Sequence, residues 1–149
     1  MQRERGFTLI EQLVVFAILA LILGLAPVAF DRLRDSTQYR DTVRTMLTQM
    51  RSARYRAQAE GHEVRFFVHL GQRTYGVDGA PTRPVPEALQ VRATVAGEEL
   101  SGQGEAVIRF LPEGGATGGS IEVLRASGAG TRLRVDWLSG RATQEALLP

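Results

Sequence analysis

The 149-residue chain contains no cysteine and no lysine. Without cysteine, no disulfide can hold the fold and no thiolate can bind a metal ion. All 18 basic residues are therefore arginines, and because 16 acidic residues are interleaved with them, the net charge at pH 7 is only +2. The chain thus lacks the strongly basic character that favours nucleic-acid binding.

Patterns for catalysis or metal binding are also scarce. His62 and His69 are the only histidines and form no His-Glu-x-x-His motif, so we interpret them as surface residues of a strand. The glycine-rich segment 114–119 lacks a following Gly-Lys-Ser/Thr and precedes a predicted strand, which indicates a turn and not a phosphate-binding loop. Glu98 and Glu99 belong to a polar loop, and no acidic run resembles an EF-hand. We therefore expect no enzymatic activity, no metal ion and no cofactor.

The longest uncharged stretch lies close to the N-terminus. Residues 13–30 carry no charge and would form a helix of about 27 Å, close to the thickness of a hydrocarbon core. Extension back to Phe7 gives about 36 Å, enough to cross a bilayer with some tilt. This longer segment includes Glu11, whose carboxylate costs about 2–3 kcal/mol within a membrane. The acid therefore predicts a helix that later packs against a partner with a positive charge.

The junction ahead of this stretch carries a specific motif, Gly6-Phe7-Thr8-Leu9-Ile10-Glu11. Together with the apolar run, it resembles the class III signal of type IV pilins and of the pseudopilins of type II secretion. The resemblance implies that residues 1–6 are a leader peptide, that a prepilin peptidase cleaves between Gly6 and Phe7, and that Phe7 is then N-methylated. It also implies that Glu11 pairs with the N-terminal amine of a neighbouring subunit as the helices bundle in a filament.

The same resemblance implies a membrane topology. Residues 7–30 would contact inner-membrane lipid as a single transmembrane segment and later form the filament core. The N-terminus would be cytoplasmic, and residues 31–149 would be a periplasmic pilin-like domain that assembles into a pseudopilus. Two alternatives are an ordinary secretory signal and the signal-anchor of another bitopic protein. The apolar run is too long for the first, and Ala26-Pro27-Val28-Ala29 is a poor cleavage site.

The apolar pattern changes after residue 30. Between residues 31 and 60, apolar side chains recur every three or four positions, which predicts an amphipathic helix that ends before Gly61. These side chains are Tyr39, Val43, Met46, Leu47, Met50, Ala53 and Ala57. The sequence therefore predicts one helix from Phe7 to Glu60, with a kink or a loosened turn around Gly24 and Pro27.

From Gly61 onwards the apolar period becomes two, which is typical of strands. We predict strands over residues 64–70, 74–78, 88–95, 106–111, 120–125 and 131–138, with a short last strand or tail from Arg141. Residues 79–86 and 96–105 are expected to be loops, and residues 112–119 a break in the sheet. With a β-sheet region over residues 63–145, the fold class is α+β, a long N-terminal helix packed on an antiparallel, β-sandwich-like domain.

The C-terminal half narrows the resemblance. Three segments are similar to those of the H-type minor pseudopilins, the GspH/FimT group. They are Phe110-Leu111-Pro112-Glu113-Gly114, Gly118-Gly119-Ser120-Ile121-Glu122-Val123 and Val135-Asp136-Trp137-Leu138-Ser139-Gly140-Arg141. The resemblance implies a structural subunit at or near the tip of a type II secretion pseudopilus, which helps to export folded proteins across the outer membrane. Its partners would be the other minor and major pseudopilins.

Two features of the last predicted strand leave alternatives open. Trp137, the single tryptophan, is expected in the core, with an exposed contact to a neighbouring subunit as the alternative. Arg132 and Arg134 share one face of the strand and, with Arg141, could contact an anion or DNA. That set would suit a FimT-like minor type IV pilin that binds DNA for uptake. FimT-like members that bind DNA carry a second basic residue after the Gly-Arg pair, which this chain lacks, so nucleic acid is the less expected partner.

Overall fold

The computed structural model describes residues 8–95 and 104–149, and over residues 25–34 it describes the backbone only. A single helix, α1, extends over Leu9–Glu60 and contains 52 residues. This confirms the prediction of one long helix that ends before Gly61, although the predicted start at Phe7 lies outside the described residues. The backbone stays helical at Gly24 and Pro27, so the predicted loosening does not interrupt the helix.

Contacts within the chain divide it into two compact units, Met1–Thr37 and Gln38–Pro149. The first unit contains the apolar half of α1, whose large apolar side chains between Leu9 and Leu23 are exposed. No helix within the described part of the chain is both long enough and apolar enough to cross a membrane.

The second unit adds eight strands to the rest of α1 among the described residues. They are β1 (Val64–His69), β2 (Thr74–Val77), β3 (Arg83–Pro84), β4 (Gln90–Val95), β5 (Glu105–Phe110), β6 (Gly119–Leu124), β7 (Gly130–Val135) and β8 (Ala142–Leu147). The first sheet has the order β3-β2-β1-β5 and the second the order β4-β6-β7-β8. Every pairing of neighbouring strands is antiparallel, which confirms the α+β fold class.

One hydrophobic core joins α1 to the inner faces of both sheets. From the helix, Met46, Met50, Ala53 and Ala57 are completely buried. Their spacing of three and four residues places them on one face, as the sequence predicted. Alternate residues of the strands complete the core, and the most deeply buried of these include Val64, Phe66, Val68, Ile108, Phe110, Ile121, Val123 and Leu133.

The structure corrects three details of the strand assignment. Residues 79–86 are not entirely loop, because Arg83–Pro84 forms the short edge strand β3, where a proline is tolerated since no N–H is needed there. The strand predicted over 131–138 ends at Val135, and the segment from Arg141 forms the full six-residue strand β8. The predicted loop over 96–105 lies mostly outside the described residues.

Candidate functional site

The first turn of α1 is held by a side-chain cap. The Glu11 N–H donates to Thr8 Oγ1 at 3.3 Å, and the Gln12 N–H donates to the Thr8 carbonyl oxygen at 3.2 Å. Threonine followed three residues later by glutamate is the pattern of a capping box, in which Thr8 is the N-cap. This role of Thr8 was missed in the sequence, although the Thr-x-x-Glu spacing signals it.

Glu11 itself lies exposed on an apolar helical surface. No described residue offers its carboxylate an ion pair, although the positive end of the helix macrodipole favours an acid in this first turn. Its apolar neighbours are open as well, with Leu9 84%, Ile10 76% and Leu13 63% exposed. Gly6 and Phe7 lie outside the described residues, so the cleavage and methylation assignments stay predictions.

The three arginines that were predicted to contact an anion differ in exposure and in their ion pairs. Arg132 lies on the outer face of β7, where its Nη2 and Nε donate to Glu122 Oε1 at 2.7 and 3.0 Å. Its Nη1 lies 3.9 Å from Glu145 Oε2. Because two carboxylates flank the guanidinium, most of its charge is compensated within the chain.

Arg134 and Arg141 are exposed. Arg134 shares the outer face of β7 with Arg132, as predicted, and lies near Asp136. The pKa of Asp136 is held below its ordinary value mainly by hydrogen bonds from Ser139, with a smaller contribution from Arg134. Arg141 follows the next turn, where its carbonyl oxygen accepts the Asp136 N–H at 3.0 Å. An anion contact by these arginines stays a prediction.

Trp137 is 67% exposed and Leu138 is 71% exposed, so the prediction of a core tryptophan is wrong. The cause is a turn that starts at Asp136, whose Oδ1 accepts the Ser139 N–H at 2.8 Å and the Ser139 hydroxyl at 2.7 Å. The Gly140 N–H also donates to the Asp136 carbonyl oxygen at 2.8 Å, which closes the turn. Trp137 therefore projects from a hydrogen-bonded turn.

A shallow depression of about 430 Å³ lies beside this turn. The residues that line it include Thr94, Ser120, Arg134, Asp136 and Trp137. The lining mixes both charges, and nothing in its composition selects one ligand.

Two of the segments that carried the resemblance meet in the fold. Gly114 and Gly140 both have positive φ, 100° and 63°, a conformation that glycine adopts without strain. A Cβ on Gly140 would lie 2.5 Å from the Gly114 carbonyl oxygen, which also accepts a hydrogen bond from Arg54 Nε at 3.5 Å. The glycine-rich segment thus forms a turn, as predicted, and the structure adds that this turn packs against α1.

Each of the two histidines lies near one acidic side chain. His62 Nε2 is 3.3 Å from Glu60 Oε2, and His69 Nε2 is 3.7 Å from Glu105 Oε1. In the described ranges, no three histidine, aspartate or glutamate side chains are close enough together to hold a metal ion. Glu98 and Glu99 lie outside those ranges.

Comparison with known proteins gives concordant results. The family model of the type II transport protein GspH matches residues 42–140, and that of the prokaryotic N-terminal methylation motif matches residues 1–27. A curated relative, type II secretion system protein H of Xanthomonas campestris pv. campestris, is 35% identical over 136 residues, which cover 91% of this chain and 80% of the relative.

Solved structures resemble the fold. One structure of the minor pseudopilin EpsH from the type 2 secretion system of Vibrio cholerae matches with a TM-score of 0.57 at 12% identity, over 75% of this chain and 98% of that chain. A second EpsH structure gives a TM-score of 0.56 at 13% identity, over 76% and 95% of the two chains.

A helix packed on two antiparallel sheets, preceded by an N-terminal methylation motif, defines a pilin-like subunit. The chain belongs to the GspH family, the H-type minor pseudopilins of type II secretion. These matches do not favour the alternative of a FimT-like pilin for DNA uptake.

Proposed function

We propose that this chain is a structural subunit at or near the tip of the pseudopilus, where it helps to export folded proteins across the outer membrane. The observation that carries the proposal is the exposed apolar half of α1, whose capped first turn contains Glu11. The sheet unit has its own hydrophobic core, and the large apolar side chains of the exposed half are available to other subunits.

The mechanism is assembly without catalysis. After cleavage, residues 7–30 hold the subunit in the inner membrane and are then drawn into the filament core. Apolar helices gain little from burial when they leave lipid for each other, so close packing and polar contacts select their arrangement. Glu11 supplies such a contact by pairing with the amine of a neighbouring Phe7. A buried ion pair adds little stability but can fix register, which a stacked filament requires.

The cap adds precision to this pairing. Cleavage after Gly6 makes Thr8 the second residue of the mature chain, so helix begins within two residues of the new amine. The cap holds the Glu11 backbone in the first turn of the helix before pairing, which reduces the entropy lost on pairing. Within the sheet unit, the exposed Trp137 supplies an apolar contact for another pseudopilin.

The mass of the mature protein tests the processing step. Protein from cells with an active prepilin peptidase should have lost residues 1–6 and gained one methyl group. Gly6→Leu should block the cleavage, whereas Gly6→Ala should be tolerated best. An intact N-terminus in cells that process other prepilins would contradict the proposal.

A charge variant tests the assembly step. Glu11→Gln should leave membrane insertion and the sheet unit intact, but it should impair incorporation into the pseudopilus because the partner amine loses its anion. Glu87→Gln is a matched control, since Glu87 is exposed in the loop before β4. Normal incorporation of Glu11→Gln would show that the carboxylate does not set register.

A further inference from the structure

One end of the second sheet lies against the part of α1 where the chain enters the sheet unit. The register aligns one residue of each strand in a row across this end: Gln90, Leu124, Gly130 and Leu147. Beside the row, the Arg125 guanidinium lies 4.0 Å from the centre of the Tyr39 ring, and the Tyr39 hydroxyl lies 2.7 Å from Thr131 Oγ1. We name this end, together with residues 39–44 of α1, the entry end.

Four exposed arginines at the entry end have no ion pair among the residues that the structure describes. They are Arg40, Arg44, Arg92 and Arg125. Arg92 lies opposite Glu122 in the register, but Glu122 Oε1 already accepts hydrogen bonds from Arg132 Nη2 and Nε at 2.7 and 3.0 Å. Arg132 also lies 3.9 Å from Glu145, so it compensates both acids of that face, and Arg92 keeps its charge.

The charge of the entry end is therefore positive. Its remaining exposed acids among the described residues are Asp41 on α1 and Glu87 in the loop before β4, two against the four arginines. At the other end of α1, by contrast, three arginines each have an acid within ion-pair distance. These pairs are Arg56–Glu60, Arg65–Asp78 and Arg109–Glu63. The excess of positive charge at the entry end favours an anionic partner outside the chain.

Apolar residues adjoin these arginines. A depression of about 360 Å³ has Arg92, Arg125, Leu147 and Leu148 among the residues that line it. Leu148 is 87% exposed, so it gains almost nothing from the core of the sheet unit. Cationic and apolar groups side by side are typical of surfaces that lie in the interface of a bilayer, where phosphates meet acyl chains.

The covalent connection selects a membrane as the partner. The predicted membrane segment ends at Phe30 and the sheet unit starts at Gln38, so only residues 31–37 separate them. Even when fully extended, a chain of this length reaches no more than about 30 Å. Lipid headgroups are thus always within reach of the entry end, which gives them a high effective concentration that a freely diffusing acidic protein lacks.

We infer that the entry end binds a membrane surface with anionic headgroups. The four arginines contact lipid phosphates, and Leu148 enters the layer between the headgroups and the acyl chains. This contact holds the entry end towards the bilayer while the subunit awaits assembly. The inference rests on the proposed function in one respect, because residues 7–30 hold the subunit in the membrane.

Fluorescence of the full chain in lipid nanodiscs tests this contact. Because the chain has no cysteine, Ser127→Cys gives a single attachment site for a fluorophore in the exposed turn after Arg125. Ala80→Cys is the matched control, since Ala80 is exposed in a turn beside Asp78, whose carbonyl oxygen accepts a hydrogen bond from Arg56 Nη1 at 2.8 Å near the end of α1. A constant amount of neutral lipid with a nitroxide on its headgroup should quench the fluorophore at position 127 more strongly as phosphatidylglycerol replaces phosphatidylcholine. The fluorophore at position 80 should show no such increase.

Charge variants assign the response to the arginines. Arg125→Gln and Arg92→Gln should each raise the phosphatidylglycerol fraction at half-maximal quenching about fivefold, because each arginine adds attraction to an anionic surface. Arg125→Lys should keep most of the response, since it keeps the charge. Arg51→Gln should change nothing, because this exposed arginine lies about 18 Å further along α1 than Tyr39, which exceeds the screening length at physiological salt.

Equal quenching at position 127 in the two lipids would overturn the inference and favour an acidic segment of another subunit as the partner of this end. Release of the quenching by inorganic phosphate, but not by chloride at the same ionic strength, would mean that the arginines bind free phosphate and would overturn it too. If Arg125→Gln fails to fold because it loses its contact with Tyr39, Arg92→Gln gives the same comparison. A chain that is processed and incorporated normally but shows no response to lipid charge would refute this inference alone. An uncut chain in cells with an active prepilin peptidase would refute the proposed function instead.

Discussion

The two halves of α1 use one kind of backbone for two different environments. In the half that belongs to the sheet unit, apolar residues form a single stripe, and Met46, Met50, Ala53 and Ala57 are completely buried. In the half from Leu9 to Gly24, apolar residues occur on all sides and even the least exposed large side chain, Val15, is 42% exposed. A helix with one apolar stripe buries that stripe against the rest of its own chain. A helix that is apolar on all sides needs other surroundings to cover it.

The magnitude of this difference explains why the second environment is required. Full burial of one large apolar side chain is worth about 1.5–3 kcal/mol, and the exposed half of α1 forgoes a large part of that gain along its whole length. Lipid supplies this burial but does not select one arrangement of neighbouring helices. In the proposed assembly, the specificity would come from Glu11, the one acid in that half, and from the shapes of the packed helices.

The largest expected effect is a loss of stability that distinguishes the two halves of α1. Met50→Ala removes a completely buried side chain and should lower the free energy of unfolding of the sheet unit by about 2–5 kcal/mol. Ile18→Ala, on the exposed half, should leave it unchanged. Urea unfolding of the full chain in detergent, followed by circular dichroism, measures both. Equal losses for the two variants would abolish the distinction between the halves.

A pair of glycine variants gives the next largest effect. Gly140→Ala places a Cβ 2.5 Å from the Gly114 carbonyl oxygen at a φ of 63°, and the backbone conformation alone costs about 1–2 kcal/mol. Gly24→Ala meets nothing within 4 Å and should stabilise its part of the helix by up to about 1 kcal/mol. The same unfolding measurement on the sheet unit should therefore show a loss for Gly140→Ala and no change for Gly24→Ala, and a neutral Gly140→Ala would contradict the packed turn.

Local patterns predicted most of this architecture. The change from all-round to striped apolarity marked the two halves of α1, and alternation located most of the strands. Trp137 was misplaced because Val135, Trp137 and Leu138 appear to continue a strand. The competing signal was the aspartate at 136 followed by Ser139 and Gly140, which starts a hydrogen-bonded turn and ends the strand at Val135.

Contacts between distant segments could not be predicted in this way. The Arg132–Glu122 pair depends on the register of the β6–β7 hairpin, and a shift of one residue would have placed the two side chains on opposite faces. The contact of Gly114 with Gly140 depends on how a loop and a turn pack on α1. Such register and packing are properties of the whole core, so these contacts emerged only from the structure.

A smaller loss of stability is expected from a substitution at Tyr39, a buried residue at the start of the striped half of α1. Its hydroxyl lies 2.7 Å from Thr131 Oγ1, and the Arg125 guanidinium lies 4.0 Å above its ring. Tyr39→Phe keeps the ring and should cost about 0.5–1.5 kcal/mol. Tyr55→Phe is the matched control, since Tyr55 is 73% exposed and should show no change. A double-mutant cycle with Thr131→Val should show coupling; additive losses would exclude the hydrogen bond as the cause.

The smallest expected effect is a pH dependence of the stability of the sheet unit alone. Arg65 Nε donates to Asp78 Oδ2 at 2.8 Å, and this hydrogen bond holds the pKa of Asp78 below its ordinary value of 3.8. A lowered pKa in the folded state stabilises the fold above the pKa of the unfolded state, and the contribution disappears as the pH falls through the folded value. Because the pair is partly exposed, solvent screening keeps its contribution small.

Asp78→Asn should therefore lower the urea midpoint slightly at neutral pH, and the difference from the parent chain should vanish as the pH is lowered from about 4 towards about 2. Glu11→Gln is the control from the other half of the comparison, because Glu11 has no partner among the described residues and should not affect the sheet unit at any pH. A difference for Asp78→Asn that persists undiminished in acid would mean that the substitution acts through packing and not through charge. A matching effect of Glu11→Gln would mean that the exposed half of α1 contributes to the stability of the sheet unit after all.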